Sequence, residues 1–152
     1  MQHWEELVQK SELYDGNAES LLEDDRYEGA LEQVHIALEI MFKAVLERHG
    51  TDSHSAPDPK NPNLRIASKY PYTHNLDDLA ACKFQPAGGK KQSLNRYIRS
   101  DKMAHRLWQD VRSNVVWEMH LRYKKLPFTQ EEIAQAIDKY RRLRRWIATN
   151  CV

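Results

Sequence analysis

The chain has 152 residues, of which 41% are hydrophobic and 30% are charged, and this is enough for one domain whose core needs neither disulfide bonds nor a metal ion. The net charge is only +1, but residues 1–50 hold twelve acidic and four basic side chains, while residues 51–152 hold ten acidic and nineteen basic ones. With no CxxC pair, no apolar secretory signal and no apolar run that could span a membrane, the sequence predicts a reduced, cytoplasmic protein with no membrane partner, no metal and no cofactor.

Two helices are predicted in the N-terminal third of the chain. Residues 2–23 read as a first helix, which the turn residues Asp-Gly-Asn at 15–17 are expected to interrupt, and Asp24 or Asp25 is expected to cap the second helix. The second helix has the clearest pattern, because its apolar positions recur at alternating steps of four and three and form one stripe. These positions are Tyr27, Leu31, Val34, Leu38, Met41 and Val45. Gly50 lies just after the helix end, where glycine is common.

The middle of the chain is expected to contain a long loop and a short helix. Residues 51–73 include four prolines, which stop helices, and no strand-like alternation of apolar residues is present anywhere. We therefore expect a loop here, and loops of this length are typical of functional or disordered regions. A short third helix is predicted over residues 75–83.

The C-terminal part of the chain reads as helical again. Residues 94–123 are mainly helical with a break near residues 99–101, and Pro127 ends the segment. Thr129 and Glu132 then form a capping box for a last helix that runs to about residue 148. The apolar stripe of that helix consists of Ile133, Ala136, Ile137, Tyr140, Leu143 and Ile147. The predicted fold class is all-α, in a single domain of residues 1–152.

Three segments carry a resemblance to a known family. Residues 37–50 (ALEIMFKAVLERHG) are similar to the pattern Ala-x-Glu-x-x-Leu-Lys-Ala-x-Leu followed by glycine, with Phe42 in the place of the first leucine. Residues 74–79 (HNLDDL) are similar to His-Asp-Leu-x-x-Leu. Residues 117–124 (WEMHLRYK) are similar to an aromatic residue, four variable residues and Arg-Tyr-Pro, with Lys124 in the place of the proline. In this order, over roughly residues 19–148, the chain resembles HEPN domains (higher eukaryotes and prokaryotes nucleotide-binding domains).

The resemblance implies an up-and-down bundle of four to five helices that forms a homodimer and associates with nucleotides or RNA. Proteins of this kind often accompany a nucleotidyltransferase or act in toxin–antitoxin and defence systems, so a nucleotidyltransferase or an antitoxin is an expected partner. We expect the dimer interface to involve the helix that contains residues 122–123 and the first long helix. These expectations come from the family and not from a site in this chain.

Many HEPN proteins are metal-independent ribonucleases, and their active site contains an arginine, four to six further residues, and a histidine. His120 lies near the position of that histidine, but residues 113–115 are Ser, Asn and Val, and Arg112 is one residue too far away. Arg99 and His105 have the required spacing, yet six helical steps place them about 120° apart around a helix axis. These four residues are weak catalytic candidates, and arginines that serve solubility or ion pairs are the simpler interpretation.

Four residues are candidates for ligand contacts. Arg122 can bind phosphate through two parallel hydrogen bonds, and Tyr123 offers a ring on which a base can stack. Alternatively, Arg122 pairs with an acid of the first two helices and Tyr123 packs in the bundle. Lys43 can reach the same groove or pair with Glu39 at i−4, and His74 can contact a ligand, cap the third helix or bond to a neighbouring loop.

The last helix adds a basic surface. Arg141, Arg144 and Arg145 lie on one side of it and are candidates for contact with RNA phosphates. The alternative is that this basic face meets the acidic first half of the chain. The resemblance implies a nucleotide- or RNA-binding module, and the missing consensus arginine–histidine pair favours binding over catalysis. A diverged metal-independent ribonuclease is the first alternative, and a purely structural dimeric interaction protein is the second.

Overall fold

The computed structural model describes residues 2–113 and 128–152, and within these residues it contains six helices and four short strands. The helices are α1 (His3–Glu23), α2 (Tyr27–His49), α3 (Leu76–Ala80), α4 (Leu94–Arg99), α5 (Lys102–Ser113) and α6 (Gln130–Asn150). The strands are β1 (His54–Pro57), β2 (Arg65–Ser68), β3 (Lys83–Phe84) and β4 (Gln92–Ser93). The predominantly helical class is confirmed. No helix in the described ranges is long and apolar enough to cross a membrane.

Helix α2 lies at the centre of the protein and packs against α1, α3 and α6. Its predicted stripe is buried except at Tyr27, which is partly exposed. Helix α1 runs antiparallel to α2, because Ser11 Oγ donates a 2.6 Å hydrogen bond to the carbonyl of Ala37 while Asn17, further along α1, contacts Gln33, further back along α2. Burial of each large apolar side chain contributes about 1.5–3 kcal/mol, so α2 supplies much of the driving force for folding.

Helix α1 is continuous, so the predicted interruption at residues 15–17 is wrong. The turn propensity of this triplet is overridden by tertiary contacts on both sides. Asp15 accepts hydrogen bonds from Arg141 of α6, Asn17 contacts α2, and Ala18 is completely buried. A Cβ atom at Gly16 would meet nothing within 4 Å, so the glycine is not required by close packing and costs the helix interior only about 0.5–1 kcal/mol.

The two predicted boundaries of α2 differ in their details from the structure. The N-cap is Arg26, with no side-chain hydrogen bond, so neither Asp24 nor Asp25 caps α2. Asp25 instead adopts a positive φ of 56° in the tight α1–α2 connection. Gly50 does follow the helix, but its φ is −62° and its backbone is extended. A glycine is needed there for another reason: a Cβ atom would collide with the carbonyl oxygen of Leu46.

The C-terminal helices follow the sequence closely. The break between α4 and α5 lies at residues 100–101, as predicted, and Ser93 caps α4 by accepting the amide of Arg96. The capping box of α6 is confirmed, because Thr129 accepts from the amide of Glu132 and Glu132 accepts from the amide of Thr129. Every residue of the predicted α6 stripe is buried. Helix α6 packs between α2 and α5 and completes the core.

The segment 51–73, predicted as a loop without strands, contains an antiparallel β-hairpin. Strands β1 and β2 pair in the register His54 with Ser68 through Pro57 with Arg65. Arg65 strengthens the hairpin by donating to the carbonyl and the hydroxyl of Ser55. No alternation of apolar residues could have predicted these strands, because β2 is mostly exposed to solvent and is held by backbone pairing.

A second antiparallel contact joins the end of α2 to the segment after α3. Thr51 donates its amide to the carbonyl of Lys83 at 3.0 Å, and Gln85 donates to the carbonyl of His49 at 2.9 Å. Strand β3 also pairs with β4, in the register Lys83 with Ser93. These bonds fix residues 49–54 against residues 82–85, which are more than 25 positions away in the chain.

Candidate functional site

The best-defined polar site in the described part of the chain is centred on Glu39 of α2. Its side chain is almost completely buried, and Oε2 accepts a 3.0 Å hydrogen bond from Nζ of Lys43, one helical turn later. The same oxygen lies 3.1 Å from Nδ1 of His74, which immediately precedes the cap of α3. The ring of Tyr70 lies over Lys43, with 5.7 Å between Nζ and the ring centre. We call these four residues the Glu39 cluster.

His74 is held in place by the start of α3. Asn75 caps this helix, since its side chain accepts the amide of Asp78 at 3.1 Å. Thr73 Oγ1 accepts the amide of Asn75 and donates to the carboxylate of Asp78. Leu79 anchors α3 by packing in the core. The alternative that His74 caps α3 is therefore wrong, because Asn75 has that role and His74 contacts α2 instead.

The geometry of the Glu39 cluster fits an oriented imidazole at the surface. The His74 side chain is 84% exposed although its Nδ1 lies beside the buried carboxylate. A carboxylate beside one ring nitrogen orients the ring and selects the tautomer, which leaves the other nitrogen to meet a ligand or exchange a proton. Lys43 keeps the buried carboxylate from being an uncompensated charge. The predicted pairing of Lys43 with Glu39 is confirmed, and a role of Lys43 and His74 in ligand binding stays a prediction.

Arg112 lies at the C-terminal end of α5 and is directed towards the same helix, α3. Its Nε is 2.8 Å from the carboxylate of Asp77, and its guanidinium group lies 5.7 Å from the centre of the Trp108 ring. Asp77 is three residues after His74, so Arg112 contacts the short helix that begins just after this histidine. About half of the Arg112 side chain is exposed, so it remains accessible to an anion.

Arg99 and His105 form no such arrangement. Arg99 is exposed at the end of α4, whereas His105 is partly buried on α5. Within the described ranges no hydrogen bond or ion pair joins them, and Nδ1 of His105 is buried without a hydrogen-bond partner. His120, Arg122 and Tyr123 lie outside the described residues, as does the third segment of the family resemblance.

Two of the three arginines predicted to contact RNA are directed into the protein. Arg141 donates two 3.0 Å hydrogen bonds to the two carboxylate oxygens of Asp15, which raises the Arg141 pKa above its ordinary value. Arg144 is buried, and its Nε lies 3.7 Å from the same carboxylate. Arg145 stays exposed and donates to the carbonyl of Arg141. The contacts of Arg141 and Arg144 match the alternative in which the basic helix meets the acidic first half.

A buried histidine lies one turn before Glu39 on α2. Burial lowers the pKa of His35 below its ordinary value of 6.5, and the opposing effect of Glu39 is smaller. Nδ1 of His35 lies 3.0 Å from the hydroxyl of Tyr140 on α6, so the pair links the two central helices.

This histidine should make stability depend on pH. Because the folded pKa is lowered, the unfolded chain binds more protons as the pH falls below about 6.5, and stability present at neutral pH is lost on acidification. We expect the free energy of unfolding, measured in urea, to fall between pH 7 and pH 5, with His35 contributing at most about 1.4 kcal/mol per pH unit. In His35→Gln this fall should be smaller, whereas Tyr140→Phe should keep it. Equal slopes in all three proteins would contradict the assignment.

A large open groove, of about 970 Å³, lies between α5 and α6. Its walls carry both signs of charge, including Arg106, Asp110, Lys139 and Arg142. Lys139 and Asp110 already form an ion pair across it at 3.3 Å. It shares no lining residue with the Glu39 cluster, and its mixed charges select no particular ligand.

The structure also brings together Asp52, His54 and Cys82, which the sequence did not suggest. Their ligand atoms all lie within 4.8 Å of one another, and Cys82 Sγ is 3.8 Å from His54 Nε2. Burial and the nearby carboxylates of Asp52 and Asp78 raise the pKa of the Cys82 thiol to about 11, so the thiol is protonated at neutral pH. The cluster is created by backbone pairing between segments that are distant in the chain. His54 and Asp52 are therefore too far from Cys82 in the sequence to show a typical metal-ligand spacing.

The comparisons with known proteins found no match for this chain, whether with family models, with curated proteins or with solved structures.

Proposed function

We propose that this chain is a HEPN-like nucleotide- or RNA-binding module that contacts its ligand through the Glu39 cluster and Arg112. The observation that carries the proposal is the meeting of Lys43 and His74 on one buried carboxylate. The two residues come from separate segments, 37–50 and 74–79, each of which resembles a HEPN motif. A buried ion-paired cluster adds little net stability compared with apolar packing, so stability alone does not account for this arrangement.

The chemistry of the site suits a phosphate-bearing ligand. His74 presents a ring nitrogen at the surface, and Arg112, which contacts Asp77 three residues further along the chain, is a second donor that can contact phosphate through its planar guanidinium group. Tyr70 is half-buried beside Lys43, and its ring can support a base by stacking. A nucleotide could exchange the Arg112–Asp77 contact for a phosphate contact, because both groups of that pair are about half-exposed.

We propose binding rather than catalysis because the sequence lacks the consensus arginine–histidine pair of HEPN ribonucleases. Among the described residues no hydrogen bond or ion pair joins Arg99 to His105, and His120 lies outside those residues. We further propose that the module acts as a homodimer with a nucleotidyltransferase or an antitoxin as partner, as the family resemblance implies. A ribonuclease and a purely structural dimeric protein are the outcomes that would replace this proposal.

Binding of a fluorescent single-stranded RNA in EDTA, measured by anisotropy, tests the proposed site. We expect His74→Ala and Arg112→Ala each to weaken binding about tenfold, which corresponds to the loss of one hydrogen bond to a charged group. The slope of log K against log salt should fall by about 0.7 for Arg112→Ala, because one phosphate contact is lost. Lys139→Ala is the matched control: it removes a cation from the α5–α6 groove and should leave both quantities unchanged.

Equal binding by all four proteins would show that the Glu39 cluster is not the site. If the wild type binds neither RNA nor mononucleotides, the binding proposal is wrong and the purely structural dimeric protein is the remaining alternative. A denaturing gel of end-labelled RNA, also in EDTA, covers the remaining outcome. We expect no cleavage by the wild type, whereas cleavage that is lost in His74→Ala, His105→Ala or His120→Ala would identify a metal-independent ribonuclease and locate its catalytic histidine.

A further inference from the structure

We propose that Asp52, His54 and Cys82 form a site for one Zn²⁺ ion or a closely similar divalent transition metal. This inference is independent of the proposed nucleotide binding. It rests on three side chains of the right chemical types, whose ligand atoms lie within 4.8 Å of one another. The site is distinct from the Glu39 cluster, with which it shares no residue.

The distance between Cys82 and His54 agrees with tetrahedral zinc coordination. With a Zn–S distance of about 2.3 Å and a Zn–N distance of about 2.05 Å, a tetrahedral ion separates its sulfur and nitrogen ligands by about 3.6 Å. Cys82 Sγ and His54 Nε2 are 3.8 Å apart, so both can bind one ion after a shift of a few tenths of an ångström. A hydrogen bond between Cys82 and His54 would not need a third residue. A carboxylate oxygen of Asp52 nevertheless lies within 4.8 Å of both ligand atoms.

The backbone holds the three ligands in place before any ion binds. The amide of Thr51 is bonded to the carbonyl of Lys83, so Asp52 lies beside Cys82 across this antiparallel contact. His54 begins β1, and Cys82 follows the end of α3. The backbone that carries Asp52 and Cys82 is therefore held by pairing between their segments, and His54 lies in a strand paired with β2, which favours a pre-organised site.

Groups around the ligands also fit a metal site. One carboxylate oxygen of Asp52, Oδ2, accepts the amide of Lys83 at 3.0 Å, which orients the carboxylate. Metal-binding carboxylates and histidines are commonly held in this way by an outer partner. The thiol of Cys82 donates to the carbonyl of Asp78 at 3.4 Å. On binding, the S–H bond breaks, a sulfur–metal bond forms, and the proton passes to water.

The set of ligands selects the class of metal. A thiolate, an imidazole and a carboxylate suit Zn²⁺ and its neighbours, whereas Mg²⁺ and Ca²⁺ require oxygen ligands. Three protein ligands leave a fourth tetrahedral position for water or an exogenous group. Asp52 and His54 are only partly buried, so an ion can enter from solvent. The ion would join the segment after α2 to the end of α3 and thereby close the part of the chain that carries the hairpin and His74.

Cobalt is the probe that tests this site, because Co²⁺ bound by a thiolate has a charge-transfer absorption in the near ultraviolet. The full chain, freed of metal and kept reduced, is titrated with Co²⁺ and then with Zn²⁺. We expect the band to saturate at one Co²⁺ per chain and to disappear when Zn²⁺ displaces cobalt. Cys82→Ser should abolish the band. Asp52→Asn and His54→Ala should weaken Zn²⁺ binding by at least the 10- to 100-fold typical of losing an outer-shell partner.

The chain offers a matched control in its second cysteine. Cys151 is also buried but lies at the end of α6, outside the cluster, so Cys151→Ser should keep the full band. Asp52→Asn retains an oxygen that can accept the amide of Lys83, and circular dichroism in EDTA checks that every variant is folded. The proposal is overturned if the wild type shows no band at saturating Co²⁺, if Cys82→Ser binds Zn²⁺ as tightly as the wild type, or if the band is lost in Cys151→Ser instead.

Discussion

Replacement of Leu38 by aspartate is expected to unfold the protein. Leu38 lies in the middle of α2, has no exposed surface, and belongs to the core that α2 shares with α1 and α6. Even Leu38→Ala should cost about 2–5 kcal/mol, because it leaves a cavity. An aspartate adds a buried charge without a partner, and the combined cost approaches the total stability of a typical domain, about 5–15 kcal/mol.

The measurement is far-ultraviolet circular dichroism with urea unfolding of the wild type, Leu38→Ala and Leu38→Asp. Leu13→Asp is the control, because Leu13 is an exposed leucine of α1, with 63% of its surface accessible, and its replacement should change stability by less than about 0.5 kcal/mol. Normal helicity and solubility of Leu38→Asp would show that α2 is not the centre of the core.

Removal of Asp15 is expected to cause the second large loss of stability. Its carboxylate lies between two arginines of α6: it accepts both hydrogen bonds from Arg141 and is 3.7 Å from Arg144. Asp15→Ala leaves these partly buried cations without their main partner. Breaking a well-buried pair costs about 3–5 kcal/mol, and the partial exposure of Arg141 reduces this to about 2–3 kcal/mol.

Glu19 provides the control for this experiment. It contacts Arg141 at 3.7 Å from a largely exposed position on the same helix, so Glu19→Ala should cost less than about 1 kcal/mol. Urea unfolding at low and at high salt measures both variants. A similar small loss in both would mean that Asp15 is no more important than an ordinary surface ion pair.

Much of the helical framework could be predicted because helix periodicity is a local property. The stripe from Leu31 to Val45 and the stripe from Ile133 to Ile147 are buried as expected, since residues three and four apart share a face in any helix. The capping box of Thr129 and Glu132 was predictable for the same reason, because both partners lie within one turn. The pairing of Lys43 with Glu39 also follows from i,i+4 spacing.

The candidate sites were predictable only in part. Lys43 and His74 were identified as candidates from the sequence, and Glu39 was predicted as a partner of Lys43, but the contact of His74 with the same carboxylate depends on how α3 packs against α2. The Asp52–His54–Cys82 cluster was missed because its ligands lie on segments joined by backbone hydrogen bonds, which leave no periodic trace in side-chain types. The hairpin was missed for the same reason, and prolines in the segment favoured a loop.

The mainly helical class, the core faces of α2 and α6 and the start of α6 follow from the amino-acid sequence alone, because each depends on interactions between residues within a few turns of one another. The continuity of α1 through Gly16 depends instead on tertiary packing, since ion pairs and burial from α2 and α6 outweigh a local turn propensity of about 1 kcal/mol. Tertiary packing also determines which charges are neutralised internally and which polar groups meet, because these contacts join residues as far apart as Asp15 and Arg141. Their geometry depends on how the helices pack, and side-chain spacing along the chain does not encode it.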